Sequence, residues 1–287
     1  MYALIALGYT MVYGIIELIN FAHGDVFMLG SFFAVAALSA LGLTQGATGF
    51  ALVLILIYAF LVTGVLSGLT GVVIERFAYR PLRNAPRLAP LISAIGVSFI
   101  LQNIAFSWRG PSPINFPDVM PDSILSMGQV IIRSKQILIF VSSLALMTAL
   151  QVFINRTRLG KAMRATAQDR DAASLMGIDV NTTIALTFFI GSGLAGAAGI
   201  IYGLYYGSVS FTIGYLAGLK AFTAAVLGGI GNIAGAMLGG FVIGLVESFT
   251  AQYVSQAWAD AAVFAVLILV LVFRPTGLLG QQLADRA

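Results

Sequence analysis

Residues 49–74 read GFALVLILIYAFLVTGVLSGLTGVVI. The run carries no charge, and a helix needs about 20 apolar residues to cross the hydrocarbon core of a bilayer. A membrane β-strand would show short segments of alternating polarity instead, and no such alternation is present. The rest of the chain repeats the theme: 59% of its 287 residues are hydrophobic, 9% are charged, and mean hydropathy is +0.98. Soluble domains carry about 25% charged residues, so this composition cannot cover a surface facing water. The expected fold is an all-α integral membrane protein, a polytopic bundle of about 8–9 transmembrane helices with one or more of them broken.

Working outward from 49–74, further apolar runs cover 2–19, 25–43, 88–107, 136–155, 181–206, 208–230, 233–254 and 257–273. They leave room for a single transmembrane domain over 1–287. Either 2–43 or 208–254 has the composition to hold a half-helix that does not cross. Two connecting loops hold nine of the fifteen basic residues: 75–87 with Arg76, Arg80, Arg83 and Arg87, and 156–180 with Arg156, Arg158, Lys161, Arg164 and Arg170. Basic residues concentrate in cytoplasmic loops, which assigns both loops to the cytoplasm and 108–135 to the periplasmic side. The net charge of +4 is therefore a topology signal, and no nucleic-acid partner is expected. Cysteine is absent, so there is no disulfide framework or thiol chemistry. Met1 opens almost directly into apolar sequence, without a basic n-region or a small-residue cleavage site. The first span is expected to be shortened at its start.

Catalysis finds no support. One His, no Cys and scattered acids make neither a usual zinc site nor a nucleophilic constellation, and no GxxxxGK[ST] phosphate cradle is present. Catalytic residues, metal ligands and a bound cofactor are all expected to be absent from this chain. Two stretches stand out instead. LGGIGNIAGAMLGG (227–240) places Gly228, Gly229, Gly231 and Asn232 inside apolar sequence. A helix interrupted there frees backbone groups that hydrocarbon cannot satisfy, so it must face protein or a water-lined cavity. Such breaks often line substrate paths in transporters, although tight packing is an equal reading. INFAHGD (19–25) holds the only His. Gly24 suits the left-handed end of one helix and Asp25 the N-cap of the next, with Asn20 and His23 bonding the last carbonyls. The alternative puts the break deeper, with Asn20 and His23 on the translocation path, because intramembrane ionisable groups are functional by default.

The chain resembles the LivH-type permeases, membrane subunits of ABC importers for branched-chain amino acids. The resemblance is carried by GYTMVYGIIELINFAHGDVFMLGSF (8–32), RPLRNAPRLAPLISAIGVSFILQN (80–103), GKAMRATAQDRDAASLMGID (160–179), KAFTAAVLGGIGNIAGAMLGG (220–240) and PTGLLG (275–280). It implies a permease working in the bacterial inner membrane with a second homologous permease, two cytoplasmic ATPase subunits that bind the ATP, and a periplasmic substrate-binding protein. DAASLMG (171–177) fits loosely the E-A-A-x3-G element with which such importers dock their ATPase, without its I-x-L-P ending. On that reading 164–178 is one short amphipathic helix. Asp171 opens the element, small Ala172 and Ala173 allow close approach, Leu175 and Met176 anchor, Gly177 ends the helix, and Arg164 and Arg170 pair with acids on the ATPase rim. Two rivals stay open, an ion-coupled secondary transporter and a passive channel. For the first, only Lys220 and Glu247 are placed to couple an ion. Lys220 reads more simply as a snorkelling or helix-end residue, and none of the acids is evidently paired.

Overall fold

The computed structural model describes residues 1–42, 47–83, 85–86, 88–120, 123–127 and 130–280. Its helices in chain order are α1 (Tyr2–Ile16), α2 (His23–Ala40), α3 (Gly49–Ile74), α4 (Leu88–Arg109), α5 (Ser134–Arg156), α6 (Arg158–Gln168), α7 (Arg170–Leu175), α8 (Val180–Tyr206), α9 (Ile213–Gly228), α10 (Ile233–Tyr253) and α11 (Ala259–Phe273). Among the described residues seven helical segments are long and apolar enough to cross a membrane, and α1 and α9 are apolar but shorter. The expected span 208–230 is thus only 16 residues of helix, about 24 Å at 1.5 Å per residue. Among the described residues, strand structure is confined to two small antiparallel pairs, β1 (Ile114–Asn115) with β4 (Ser208–Val209), and β2 (Ile124–Met127) with β3 (Val130–Arg133).

The 27-residue α8 is the axis of the bundle, and α1, α2 and α3 pack around it. Small residues on α8 make this possible. A Cβ on Gly199 would lie 2.6 Å from the Ser31 amide nitrogen and 2.8 Å from the Phe27 carbonyl oxygen, so α2 and α8 touch backbone to backbone. Ser31 completes the contact by donating to the Gly199 carbonyl at 3.2 Å. Without a hydrophobic force between helices in lipid, this close packing supplies the cohesion. Phe27, Phe32, Phe188, Ile200 and Ile201 fill the fully buried interior. The outer faces of α3, α4, α10 and α11 are exposed and apolar, with Phe50, Leu61, Phe99, Phe241 and Phe273 on them, as a surface bathed in hydrocarbon requires.

The two ends of the bundle are distinct. At one, Arg83 Nη1 donates to Asn181 Oδ1 at 2.7 Å, Arg170 Nη2 donates to the Ile15 carbonyl at 2.9 Å, and buried Glu75 pairs with Arg80 and Arg83. Both basic loops therefore meet there. At the other end β1 pairs with β4, and the Ala47 amide donates to the Val119 carbonyl at 3.0 Å.

Candidate functional site: two helix breaks and a docking face

The first break differs from the capped turn that the sequence suggests. Glu17, at φ 56°, is the left-handed residue that ends α1, and its amide bonds the Tyr13 carbonyl at 2.8 Å. Gly24 and Asp25 lie inside the first turn of α2, so neither ends the first helix nor caps the second. The connecting segment doubles back along α1. His23 packs against Gly8, where a Cβ would run into its imidazole, so α2 starts about 12 Å inside the end of α1. Tyr79 holds the segment, its hydroxyl donating to the Ile19 carbonyl at 3.1 Å and to Asn20 Oδ1 at 3.3 Å.

Asn20 and His23 are both buried, and His23 meets the Tyr9 ring edge to face at 4.8 Å. Neither His23 nitrogen, nor the Asn20 amide nitrogen, has a hydrogen bond of acceptable geometry among the described residues. They line none of the cavities described below. Asp25 has a different task from capping: Ser98 Oγ donates to it at 2.5 Å and Gln102 Nε2 at 3.1 Å. Those bonds tie α4 to α2 next to Gly214, where α9 begins.

The second break separates α9 from α10 at 229–232. Gly229 and Gly231 take φ of +104° and +91°, which side chains other than glycine rarely tolerate. Asn232 caps α10, its Oδ1 accepting from the Gly235 amide at 3.0 Å. The chain's own 277–280 segment covers one side of the break. Leu278 and Leu279 amides donate to the carbonyls of Leu227 at 2.8 Å and Gly228 at 3.0 Å, and Asn232 Nδ2 donates to the Leu279 carbonyl at 2.8 Å. The carbonyls of Leu227 and Gly228, freed at the end of α9, are thereby satisfied within the chain. On the other side, Gly231 faces a cavity of about 100 Å³ shared with α1 and α6.

The docking face is two helices rather than the single one expected over 164–178. Asp169 breaks it, capping α7 with Oδ1 accepting from the amides of Asp171 and Ala172, both at 2.9 Å. Gly177, at φ +82°, follows the end of α7. Leu175 and Met176 stand 89% and 83% exposed, whereas Ala173 is 4% exposed and packs into the protein. Arg164 donates to the Ile154 carbonyl and to Asn155 Oδ1, and Arg170 to the Ile15 carbonyl. Both arginines therefore bond within the chain, because each lies over a helix C-terminus whose carbonyls attract cations. Arg83, half-buried nearby, has its guanidinium pKa pulled down by desolvation while Glu75 opposes that.

Lys220 is the residue that sequence reasoning misjudged most. It does not snorkel: its side chain is 9% exposed, and Nζ contacts Glu247 Oε1 at 2.6 Å and Asp260 Oδ1 at 2.5 Å. The triad joins α9, α10 and α11, and Tyr2 presents its ring 5.8 Å from the ammonium. Spacings of 27 and 40 residues carry no periodic signal, so nothing in the sequence pairs these groups. Among the described residues no group of three or more His, Cys, Asp or Glu is placed to hold a metal.

The family model for the branched-chain amino acid transport system permease component matches residues 1–271. The chain belongs to that family. The permease is 49% identical over 292 residues to the high-affinity branched-chain amino acid transport system permease protein BraD of Pseudomonas aeruginosa, covering 99% of this chain and 93% of BraD. It is 45% identical over 296 residues to the LivH protein of the same description from Escherichia coli K12, with the same coverage. A probable branched-chain amino acid transport permease protein LivH of Methanocaldococcus jannaschii is 26% identical over 294 residues, covering 96% of this chain and 88% of the relative. No solved structure matches the permease.

Proposed function

We propose that this permease is a membrane subunit of an ATP-driven importer, moving branched-chain amino acids handed over by a periplasmic binding protein across a bacterial inner membrane. The near full-length identity of 45–49% to permease proteins of high-affinity branched-chain amino acid transport systems carries the reading. A second homologous permease and two cytoplasmic ATPases complete the complex, and the ATP binds on the ATPases. The end bearing the basic loops faces the cytoplasm, and 108–135 faces the periplasm, as the basic-residue asymmetry requires.

The docking geometry supports an ATPase partner. Large apolar residues at a charged, water-facing end signal an interaction surface, and Leu175 and Met176 project from the short helix that Asp169 and Gly177 delimit. Helix-in-groove recognition works through anchors of this kind. Ala173 supports the helix from below, Arg170 fixes it to the end of α1, and Arg164 fixes the preceding α6 to the end of α5. The apolar anchors thus turn outward and the two arginines inward, in place of the rim pairing expected of the arginines.

Reconstitution tests the reading. Liposomes holding the whole complex are expected to take up labelled leucine only with ATP and loaded binding protein. Leu175→Asp with Met176→Asp is expected to strip the ATPases on purification while the permease still inserts. Uptake by liposomes holding this chain alone would overturn the importer and favour a carrier or channel.

A further inference from the structure

Where α3 and α8 leave the apolar layer at the end bearing the basic loops, they border a cavity of about 470 Å³ that transport and ATPase docking do not use. We propose that it holds the headgroup and upper acyl chain of a zwitterionic phospholipid, with the phosphate beside Arg80 and the ammonium beside Asp179.

The walls change character along the two helices. Val72 on α3 and Ala185, Leu186 and Phe189 on α8 make the apolar part. Charge and polarity begin about one turn further on. The uncharged run 49–74 gives way to Glu75, Arg76 and Arg80 in the helical turns that continue α3, and α8 leads back from Leu186 to Thr182, Asn181 and its cap Asp179. Next to Val72, Val73 and Phe77 form an exposed apolar stripe, so hydrocarbon reaches the rim. A cavity that straddles this boundary meets acyl chain on one side and headgroup on the other.

The charges on the polar part are of both signs and are held in place. Arg80 uses Nε and Nη2 on Glu75 at 3.1 and 2.9 Å, which leaves its Nη1 edge for a ligand. Glu75 also takes Arg83, so on this side two guanidiniums stand against one carboxylate. Asn181 gives its Oδ1 to Arg83 and keeps its amide N–H groups as donors. Asp179 carries a full negative charge on the other side. Its carboxylate accepts only from neutral groups, the Thr182 hydroxyl at 2.6 Å and the amides of Asn181 and Thr182 at 3.0 and 3.1 Å. Among the described residues Arg80 pairs with Glu75 and not with Asp179.

Charge complementarity then selects the ligand. Opposite charges line one cavity without pairing, and a molecule with a phosphate next to a primary ammonium bridges them. Basic pockets between membrane helices bind lipid headgroups, but a purely anionic headgroup would set a phosphate against Asp179 with no cation to offer it. A trimethylated ammonium has no N–H to donate to that carboxylate. A free phosphate compound would leave the apolar wall uncovered. Phosphatidylethanolamine meets all three demands, and the volume lies within the range of small-molecule sites, about 300–1,000 Å³.

Lipid titration of the purified, delipidated permease chain, read by native mass spectrometry, tests this without any transport measurement. The probes are dioleoyl phosphatidylethanolamine, phosphatidylcholine and phosphatidylglycerol, together with soluble glycerophosphoethanolamine. One phosphatidylethanolamine is expected to bind about tenfold more tightly than the other two lipids, the worth of one charge-assisted hydrogen bond to Asp179. The soluble headgroup is expected to bind more weakly by about tenfold or more, since it buries no acyl chain. Asp179→Asn keeps the cap of α8, because Asn caps as well as Asp, and removes the charge. It is expected to weaken phosphatidylethanolamine binding about tenfold and to leave phosphatidylglycerol binding unchanged or tighter, a reversal that loss of a cap alone would not produce. Arg80→Lys keeps a cation near Glu75 but loses the second guanidinium edge, and is expected to weaken all three lipids several-fold. Should that variant fail to fold, Asp179→Asn decides alone. Equal affinity for the three lipids, an unchanged preference in Asp179→Asn, or a soluble headgroup that binds as tightly as the lipid would overturn the proposal and leave the importer reading standing.

Discussion

Replacing Lys220 by Met removes the one cation between two carboxylates while keeping most of the side-chain volume. In the folded protein Glu247 at 15% side-chain exposure would then stand without its 2.6 Å partner, whereas Asp260 at 45% can turn toward water. Breaking a buried ion pair from one side is destabilising by about 3–5 kcal/mol. The partial exposure of both acids moves the expectation to the lower end, about 3 kcal/mol. For a chain of this size that amounts to a fall of about 6–12 °C in Tm. The assay is thermal unfolding of the purified permease in mild detergent, followed by the monodisperse fraction that survives heating. Lys220→Met combined with Glu247→Gln is expected to regain more than half of the loss, because the stranded charge rather than the missing bond is the main penalty. A single variant melting within about 2 °C of wild type would refute the buried triad. So would a double variant no more stable than the single.

Three further outcomes follow from the geometry. Gly199→Val is expected to abolish stable expression, since its Cβ would enter the Ser31 and Phe27 backbone of α2 and neither backbone can yield in a close-packed core. Asp179→Asn is expected to reduce stability at neutral pH but not in acid. The Asp179 carboxylate accepts from Thr182 Oγ1 at 2.6 Å and from the Thr182 and Asn181 amides, which hold its pKa below the ordinary 3.8. Its contribution is thus present above the unfolded value and lost as pH falls through the folded one, so the two melting curves converge below that range. Single cysteines at Ser112 and Ser174, in a chain without native cysteine, are expected to label from opposite sides of sealed vesicles, Ser112 from the periplasmic side. Labelling of both from one side would refute the topology.

The amino-acid sequence by itself determined the class. Runs such as 49–74 leave no soluble alternative, and their length sets where helices run, because hydrophobic thickness is a one-dimensional constraint that a linear string can carry. It also located the second break, since Gly228, Gly229 and Gly231 inside an apolar stretch are a local conformational signal. What pairs with what was decided only by the tertiary structure. Lys220 finds Glu247 and Asp260 on two other helices, and Asp25 finds Ser98 and Gln102 on α4, contacts set by rotation and depth of whole helices. The first break shows the same limit. INFAHGD contains a glycine and an acid in the order of a helix end and a cap, yet the chain folds back against Gly8 and starts α2 at membrane depth. Burying His23 and the α2 glycines against α1, α8 and α9 outweighs the local capping preference, since a cap contributes about 1 kcal/mol and close helix packing acts along the whole interface. Arg164 and Arg170 read as outward charges for the same reason: only the assembled bundle sets the carbonyl ends of α5 and α1 within their reach.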